Sequence, residues 1–228
     1  MRLVLFDIDG TLLLRASAEH RAALHDAIAE VWGVADPGAL PVEAAGRTDV
    51  DIAREICLLA GVPPERFDDG VADFRAATTA AYAQRCPDDL SATVSPGMHD
   101  VLAKLARRGR HVLALLTGNL EPVARLKLER AGLGAFFPRG LGAFGSDHED
   151  RAALPAIARR RAAHLAGGNG EPWPREATVV VGDTPRDIAC ARADGVGVVA
   201  IATGPFGADR LHEADAVVRS APELLAVL

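Results

Sequence analysis

A chain of 228 residues, 49% of them hydrophobic and 25% charged, can bury a substantial core, either as one compact unit or as a core carrying a smaller insertion. Its formal net charge of −6 argues against the broad basic field that holds nucleic acid, and its apolar runs fall short of a membrane span. The first six residues are too short for the apolar region of a signal peptide and end at Asp7, so a cytoplasmic protein is expected.

In chain order, runs rich in Val, Leu and Ile occur at Leu3–Phe6, His111–Leu116, Thr178–Val181, Val196–Ala202 and Asp215–Val218, with a weaker one at Gly140–Phe144. Segments of helical periodicity separate them. Such alternation predicts an α/β fold with a parallel, Rossmann-like sheet covered by helices on both faces. Between the first two runs the pattern changes: Ala18–Trp32, Asp49–Leu59 and Pro64–Gln84 read as helices, with no strand among them. This predicts a core over 1–15 and 91–228 and a small all-helical cap over 16–90, flanked or linked by the loops Ala35–Pro41 and Pro87–Pro96. Gly167–Arg175 reads as a surface loop, and the triple Arg159, Arg160, Arg161 as a solvated helix face. Cys57, Cys86 and Cys190 are widely spaced and odd in number, as expected of reduced structural thiols.

The run FDIDGT, Phe6–Thr11, brings the first strand straight into Asp7 and Asp9 and then a turn-forming Gly10. Acids can merely close a strand. Two carboxylates at a strand end can also share phosphoryl transfer, one as nucleophile and one as proton carrier. Two further strands end in polar groups, Thr117 and Asp183, and in open parallel sheets ligands bind beyond the carboxyl ends of strands. Asp7, Thr117 and Asp183 are therefore expected to converge. In GDTPRD, Gly182–Asp187, Thr184 suits a helix N-cap and Pro185 the first helical position, so Asp187 fits a capping box. Together with Asp7, Asp9 and Asp183 it would also make a cluster of up to four carboxylates, whose repulsion a divalent cation offsets. All-oxygen ligands and a phosphate point to Mg2+.

TGN, Thr117–Asn119, offers a hydroxyl, a flexible Gly118 backbone and an amide to phosphate oxygens, although Asn119 serves equally well as an N-cap. The chain has two lysines, Lys104 and Lys127, and both fall inside predicted helices away from strand ends. Arginine is therefore expected to hold the phosphate, and Arg151 in GSDHEDR is the candidate, with a solvent-exposed residue at a helix start as the alternative. Arg47, in the loop before the second cap helix, is either a substrate contact or an exposed loop arginine.

These residues resemble the haloacid dehalogenase superfamily over nearly the whole chain. FDIDGT is similar to its first motif, LLTGN to its second and VVVGDTPRD to its fourth. The family's third motif usually carries a lysine, where this chain offers Arg151. The stretches FGSDHEDR, TGN and GRTD (Gly46–Asp49) are similar to a branch described as phosphoglycolate-phosphatase-like. The resemblance implies a Mg2+-dependent phosphatase acting on a small phosphorylated metabolite. Asp7 would form an aspartyl-phosphate, and Asp9 would protonate the leaving alcohol and then activate water. Asp7, the Asp9 backbone carbonyl and Asp183 would bind the metal, with Asp187 supporting them. Asp9 argues against dehalogenation, and the absence of lysine from Ala16 to Pro96 argues against phosphonatase chemistry. A sugar phosphomutase, suggested by His20, and a catalytically idle phosphate-binding or regulatory protein are the alternatives.

Overall fold

The computed structural model describes residues 1–165 and 170–228. Six parallel strands, β1 (Arg2–Phe6), β2 (His111–Thr117), β3 (Ala143–Phe144), β4 (Thr178–Gly182), β5 (Gly197–Ile201) and β6 (Ala216–Val218), form one sheet in the order β3-β2-β1-β4-β5-β6. The helices are α1 (Ala18–Trp32), α2 (Asp49–Leu59), α3 (Pro64–Arg85), α4 (Met98–Arg107), α5 (Glu121–Arg130), α6 (Leu154–Leu165), α7 (Pro185–Asp194) and the short α8 (Leu224–Val227).

Alternation along the strands divides the core in two. Val4, Phe6, Leu113, Leu115, Val179 and Val181 face the layer containing α4 and α5, while Leu3, Leu5, Ala114, Leu116, Val180 and Val198 face α6 and α7. Both faces are thus covered, which is why the strands read as continuous apolar runs. The first motif lies on the central strand β1, where Phe6 is level with Leu115 of β2 and with Val181 of β4. The chain therefore leaves the sheet at Asp7, Thr117 and Asp183 within a residue or two of the same level, and this crevice is where the strand order reverses.

Between β1 and α4 lie the three helices α1, α2 and α3. Helices α1 and α3 pack along each other, with Trp32 stacked on Phe67 at 4.7 Å between ring centroids and tilted against Phe74 at 5.3 Å. This aromatic cluster gives the segment apolar packing of its own.

One expectation changes here. The triple arginine is not a solvated face: Arg160 is exposed, but Arg159 is buried and its guanidinium makes a two-pronged pair with Asp194 at 2.7 and 3.0 Å. Arg161 bonds both Asp147 oxygens at 2.6 Å. Three consecutive arginines span most of a helical turn, so they cannot share one environment. The expected loop Gly167–Arg175 falls partly outside the described residues; from Gly170 on it is tied to α6 by backbone and side-chain bonds between Trp173 and Arg159. Cys57, Cys86 and Cys190 are free and buried. No described helix is long and apolar enough to cross a membrane. Because Arg159 and Asp194 are both shielded from water, Arg159→Ala leaves the buried Asp194 carboxylate with only the longer contact to Arg175, at 3.5 Å, and should cost about 3 kcal/mol in a urea melt; a loss under about 1 kcal/mol would make the pair dispensable.

Candidate active site

Asp7, Asp183 and Asp187 offer carboxylate oxygens that all lie within 4.8 Å of one another, and all three residues are buried. Asp7 continues β1, with its backbone N–H donating to Val181 O at 2.9 Å, and Asp183 follows β4 directly. Asp187 sits one turn into α7. Gly10 is in the left-handed region at φ 88, and a side chain there would collide with the Asp183 carboxylate. Glycine is required on both counts.

The structural and functional readings of Asp187 coexist. Its Oδ2 accepts from the Thr184 backbone N–H at 2.9 Å and the Thr184 hydroxyl at 2.7 Å, while the Thr184 hydroxyl accepts from the Asp187 N–H at 3.2 Å, so the capping box is complete. Its Oδ1 accepts from the Arg151 guanidinium at 2.5 Å, and the same nitrogen lies 3.2 Å from Asp7 Oδ1. Arg151 is thus no solvent-exposed arginine. It is buried between two of the three aspartates, and they hold it protonated although burial opposes the charge.

Asp9 does not join the cluster. Its carboxylate turns to Lys127, whose ammonium donates to Asp9 Oδ1 at 2.8 Å and Oδ2 at 2.7 Å, and to the Asn119 amide, which donates to Oδ2 at 2.9 Å. The expectation that neither lysine lies near the strand ends is therefore corrected for Lys127, while Lys104 is exposed on α4. Side chains on a helix lean toward its N-terminus, so a lysine in the last turn of α5 reaches back toward the strand ends from which α5 departs. One signal was available: Val123, Ala124, Lys127 and Leu128 share the buried stripe of α5, and a lysine on an apolar stripe needs a partner.

The Lys127 ammonium also bonds His20 Nδ1 at 3.2 Å, and His20 Nε2 bonds Asp49 Oδ2 at 3.0 Å. The same Asp49 oxygen accepts from the Leu120 N–H at 2.8 Å, and the Ser146 hydroxyl accepts from the Glu121 N–H at 2.8 Å. Asn119 is therefore not the N-cap of α5. Asp49 and Ser146 satisfy that helix start, while the Asn119 amide binds Asp9 and the Thr117 hydroxyl.

The loop from Gly46 to Thr48 lies directly on the strand ends. Asp49 N–H donates to Gly118 O at 2.9 Å and the Thr48 hydroxyl to Glu149 O at 2.6 Å; a side chain at Gly118 would collide with the Arg47 carbonyl. The Arg47 guanidinium itself is held by Asp51, at 2.6 and 2.7 Å, and by Glu55. It lines, with Arg151, His148 and Arg186, a cavity of about 540 Å3 between this loop and α7.

Compared with known proteins, residues 4–192 match the family model described as haloacid dehalogenase-like hydrolase. The chain belongs to the haloacid dehalogenase-like hydrolase family. No curated protein matches it in sequence. Among solved structures, it is similar to a predicted phosphoglycolate phosphatase from Haemophilus somnus 129pt (19% identity, 100% of this chain and 97% of that one, TM-score 0.65). It is also similar to CbbY from Rhodobacter sphaeroides in complex with phosphate (21% identity, 98% and 96% covered, TM-score 0.68) and to a putative β-phosphoglucomutase from Bacteroides vulgatus (21% identity, 98% and 86% covered, TM-score 0.65). At these identities the likeness is one of fold.

The electrostatics of this haloacid dehalogenase-like site match a cation between Asp7 and Asp183. Burial pushes the Asp7 carboxyl up to about 7; Arg151 opposes the shift, while Asp187 and Asp9 add to it. Burial followed by the charges of Asp187 and Asp7 pushes Asp183 up to about 9. One Asp183 oxygen accepts from the Thr11 hydroxyl at 2.9 Å; the other, Oδ2, is buried without a hydrogen-bond partner, in a cradle that a side chain at Gly10 or Gly204 would fill. An orphaned carboxylate oxygen beside a second acid is a donor set for a hard divalent cation. Asp9 behaves oppositely: burial alone would raise it, but Lys127, His20 and Asn119 together hold it below the usual carboxylate range.

These shifts set a pH dependence. With both acids raised above the ordinary 3.8, the cation-free folded state binds more protons than the unfolded chain, so it loses stability as pH rises toward about 9. Melting curves from pH 6 to pH 9 should show a Mg2+-dependent gain over chelator that grows with pH, since the cation competes with those protons. A gain that shrinks toward pH 9 would contradict this placement of the charge.

Proposed function

We propose that this protein is a Mg2+-dependent phosphatase that hydrolyses a small phosphorylated metabolite through an aspartyl-phosphate at Asp7. The observation that carries the reading is the division of labour between the two acids of FDIDGT. Asp7 lies against Arg151 and beside Asp183, while Asp9, two residues on, is turned away from that cluster and held by Lys127 and Asn119. A nucleophile beside positive charge and a separate proton carrier are what a two-step in-line displacement needs. Asp7 attacks phosphorus as the bond to the leaving alcohol breaks, and Asp9, ionised beside Lys127 at rest, relays to that alcohol the proton carried by the phosphate monoester monoanion. Asp9 then takes a proton from the water that opens the acyl-phosphate.

Asp7, Asp183 and the Asp9 backbone carbonyl, with Asp187 in support, would hold a divalent cation, which would supply positive charge to the phosphoryl group. The buried oxygen donors of Asp7 and Asp183 and the phosphate ligand favour Mg2+. Arg151 supplies the remaining fixed charge, with two nitrogens in a planar fork. The Thr117 hydroxyl and the backbone at Gly118 and Asn119 line the same strand end and bind the phosphoryl group. The body of the ester extends from Asp7 past Arg151 into the adjoining cavity of about 540 Å3, whose walls include Arg47 and Arg186 but not Asp7, Asp183 or Thr117. That volume suits a metabolite rather than a folded phosphoprotein. With Asp7 only 5% exposed beneath the loop carrying Arg47, substrate enters when the cap over residues 16–90 lifts, and cap opening contributes to turnover.

A sugar phosphomutase is the second reading, in keeping with the β-phosphoglucomutase named among the similar structures. Against it, both ring nitrogens of His20 are engaged, by Lys127 and by Asp49, so the ring is not presented to a sugar. The test is phosphate release from a panel of small phosphate esters. Wild type with Mg2+ should release phosphate, chelator should stop it, and Asp7→Asn should abolish it while melting as wild type does; full activity in Asp7→Asn would overturn the mechanism. Arg151→Ala should lower kcat/KM by about a hundredfold or more, and an unchanged value would remove Arg151 from phosphate binding.

A further inference from the structure

A buried lysine in this site has so far served only to hold Asp9 apart from the acid cluster. All three protons of the Lys127 ammonium are accounted for: two go to the two oxygens of Asp9, at 2.8 and 2.7 Å, and one to His20 Nδ1 at 3.2 Å. Because Nδ1 accepts from the ammonium, His20 carries its ring proton on Nε2 and donates it to Asp49 Oδ2 at 3.0 Å. The ring of Tyr82 lies 5.9 Å from the same nitrogen. The burial is one-sided, since the Lys127 side chain is 0% exposed and that of Asp9 is 26% exposed. The ammonium holds the carboxylate from its buried side, and part of Asp9 stays accessible. A lysine that merely neutralised a buried acid would need one contact to it. This one spans both oxygens, and with Asn119 on Oδ2 it leaves the carboxylate no free rotation about its last bond.

We infer that Lys127 is a positioning residue that fixes the Asp9 carboxylate for proton transfer with water, and that His20, anchored by Asp49, aims the Lys127 ammonium. The inference rests on the phosphatase reading above and deepens it. The step concerned is the opening of the Asp7 acyl-phosphate: a water oxygen bonds to phosphorus, the bond from phosphorus to Asp7 breaks, and Asp9 receives the proton of that water. A carboxylate free to turn would meet the water in the wrong orientation for much of the time, and positioned general bases typically contribute about 10²–10⁴-fold.

Aryl phosphates isolate this step, because a nitrophenolate departs without being protonated and Asp9 is then needed only for the water. With 4-nitrophenyl phosphate and Mg2+, wild type and Lys127→Met should both release a burst of about one nitrophenolate per enzyme. Steady-state turnover should fall about a hundredfold in Lys127→Met, with Lys127→Arg recovering part of it. His20→Ala should show the same pattern in weaker form. An unchanged steady state, or a burst and steady state lost in equal proportion in a variant that melts as wild type does, would overturn the role assigned to Lys127. Should Lys127→Met melt below the assay temperature, Lys127→Gln carries the same comparison. If wild type releases neither nitrophenolate nor phosphate from any ester, the phosphatase reading itself falls; if wild type turns over and the variants keep its ratio of burst to steady state, only the inference about Lys127 does.

Discussion

Three aspartates buried within one cation's reach cannot all be ionised without compensation, and much of the site is arranged around that constraint. Arg151 supplies one positive charge between Asp7 and Asp187. The capping box occupies the second oxygen of Asp187, so that this acid is committed on both sides and serves as an anchor for the arginine. Asp183 keeps a buried oxygen without a hydrogen-bond partner, beside Asp7. The raised positions of Asp7 and Asp183 reflect what remains uncompensated, which a divalent cation bound there would offset.

Asp9 escapes the repulsion by facing away from it. Its separate environment, with Lys127 and Asn119 as donors, lets two acids two residues apart differ in charge state and in task. This arrangement depends on the α-helical segment inserted after β1, because His20 and Asp49 belong to that segment while Lys127 and Asp9 belong to the sheet and its covering helices. Asp49 also completes the start of α5, the helix that carries Lys127, so the inserted segment supports both that helix and, through His20, the ammonium itself. Gly118 permits the close approach: any side chain there would push the loop of Arg47 off the strand end.

The sheet was legible because its strands are buried on both faces and therefore appear as continuous apolar runs, and the three inserted helices were legible by their periodicity and by the lack of any strand-like run among them. Parallel order then brought Asp7, Thr117 and Asp183 to one edge without any knowledge of long-range contacts. Arg151 was found because it follows a strand end and because a phosphate needs a cation. Lys127 was missed for the complementary reason: a long side chain seven residues along a helix returns to the site by its own length, and strand-end logic does not follow it. Arg47 is a different case. Its loop does reach the strand ends, but Asp51 and Glu55 on α2 take its guanidinium. Arg159 was misread because neighbouring residues on a helix face different surroundings, and the partner Asp194 lies far along the chain.

The most direct test of the account is to find the phosphoryl group on the protein. Wild-type enzyme mixed with Mg2+ and a substrate from the ester panel, quenched in acid within one turnover and reduced with borotritide, should carry tritium at Asp7 alone, since borohydride reduces an acyl-phosphate but not a free carboxylate. Phosphate released in the same quenches with no label at Asp7, or with label at another residue, would contradict the covalent mechanism.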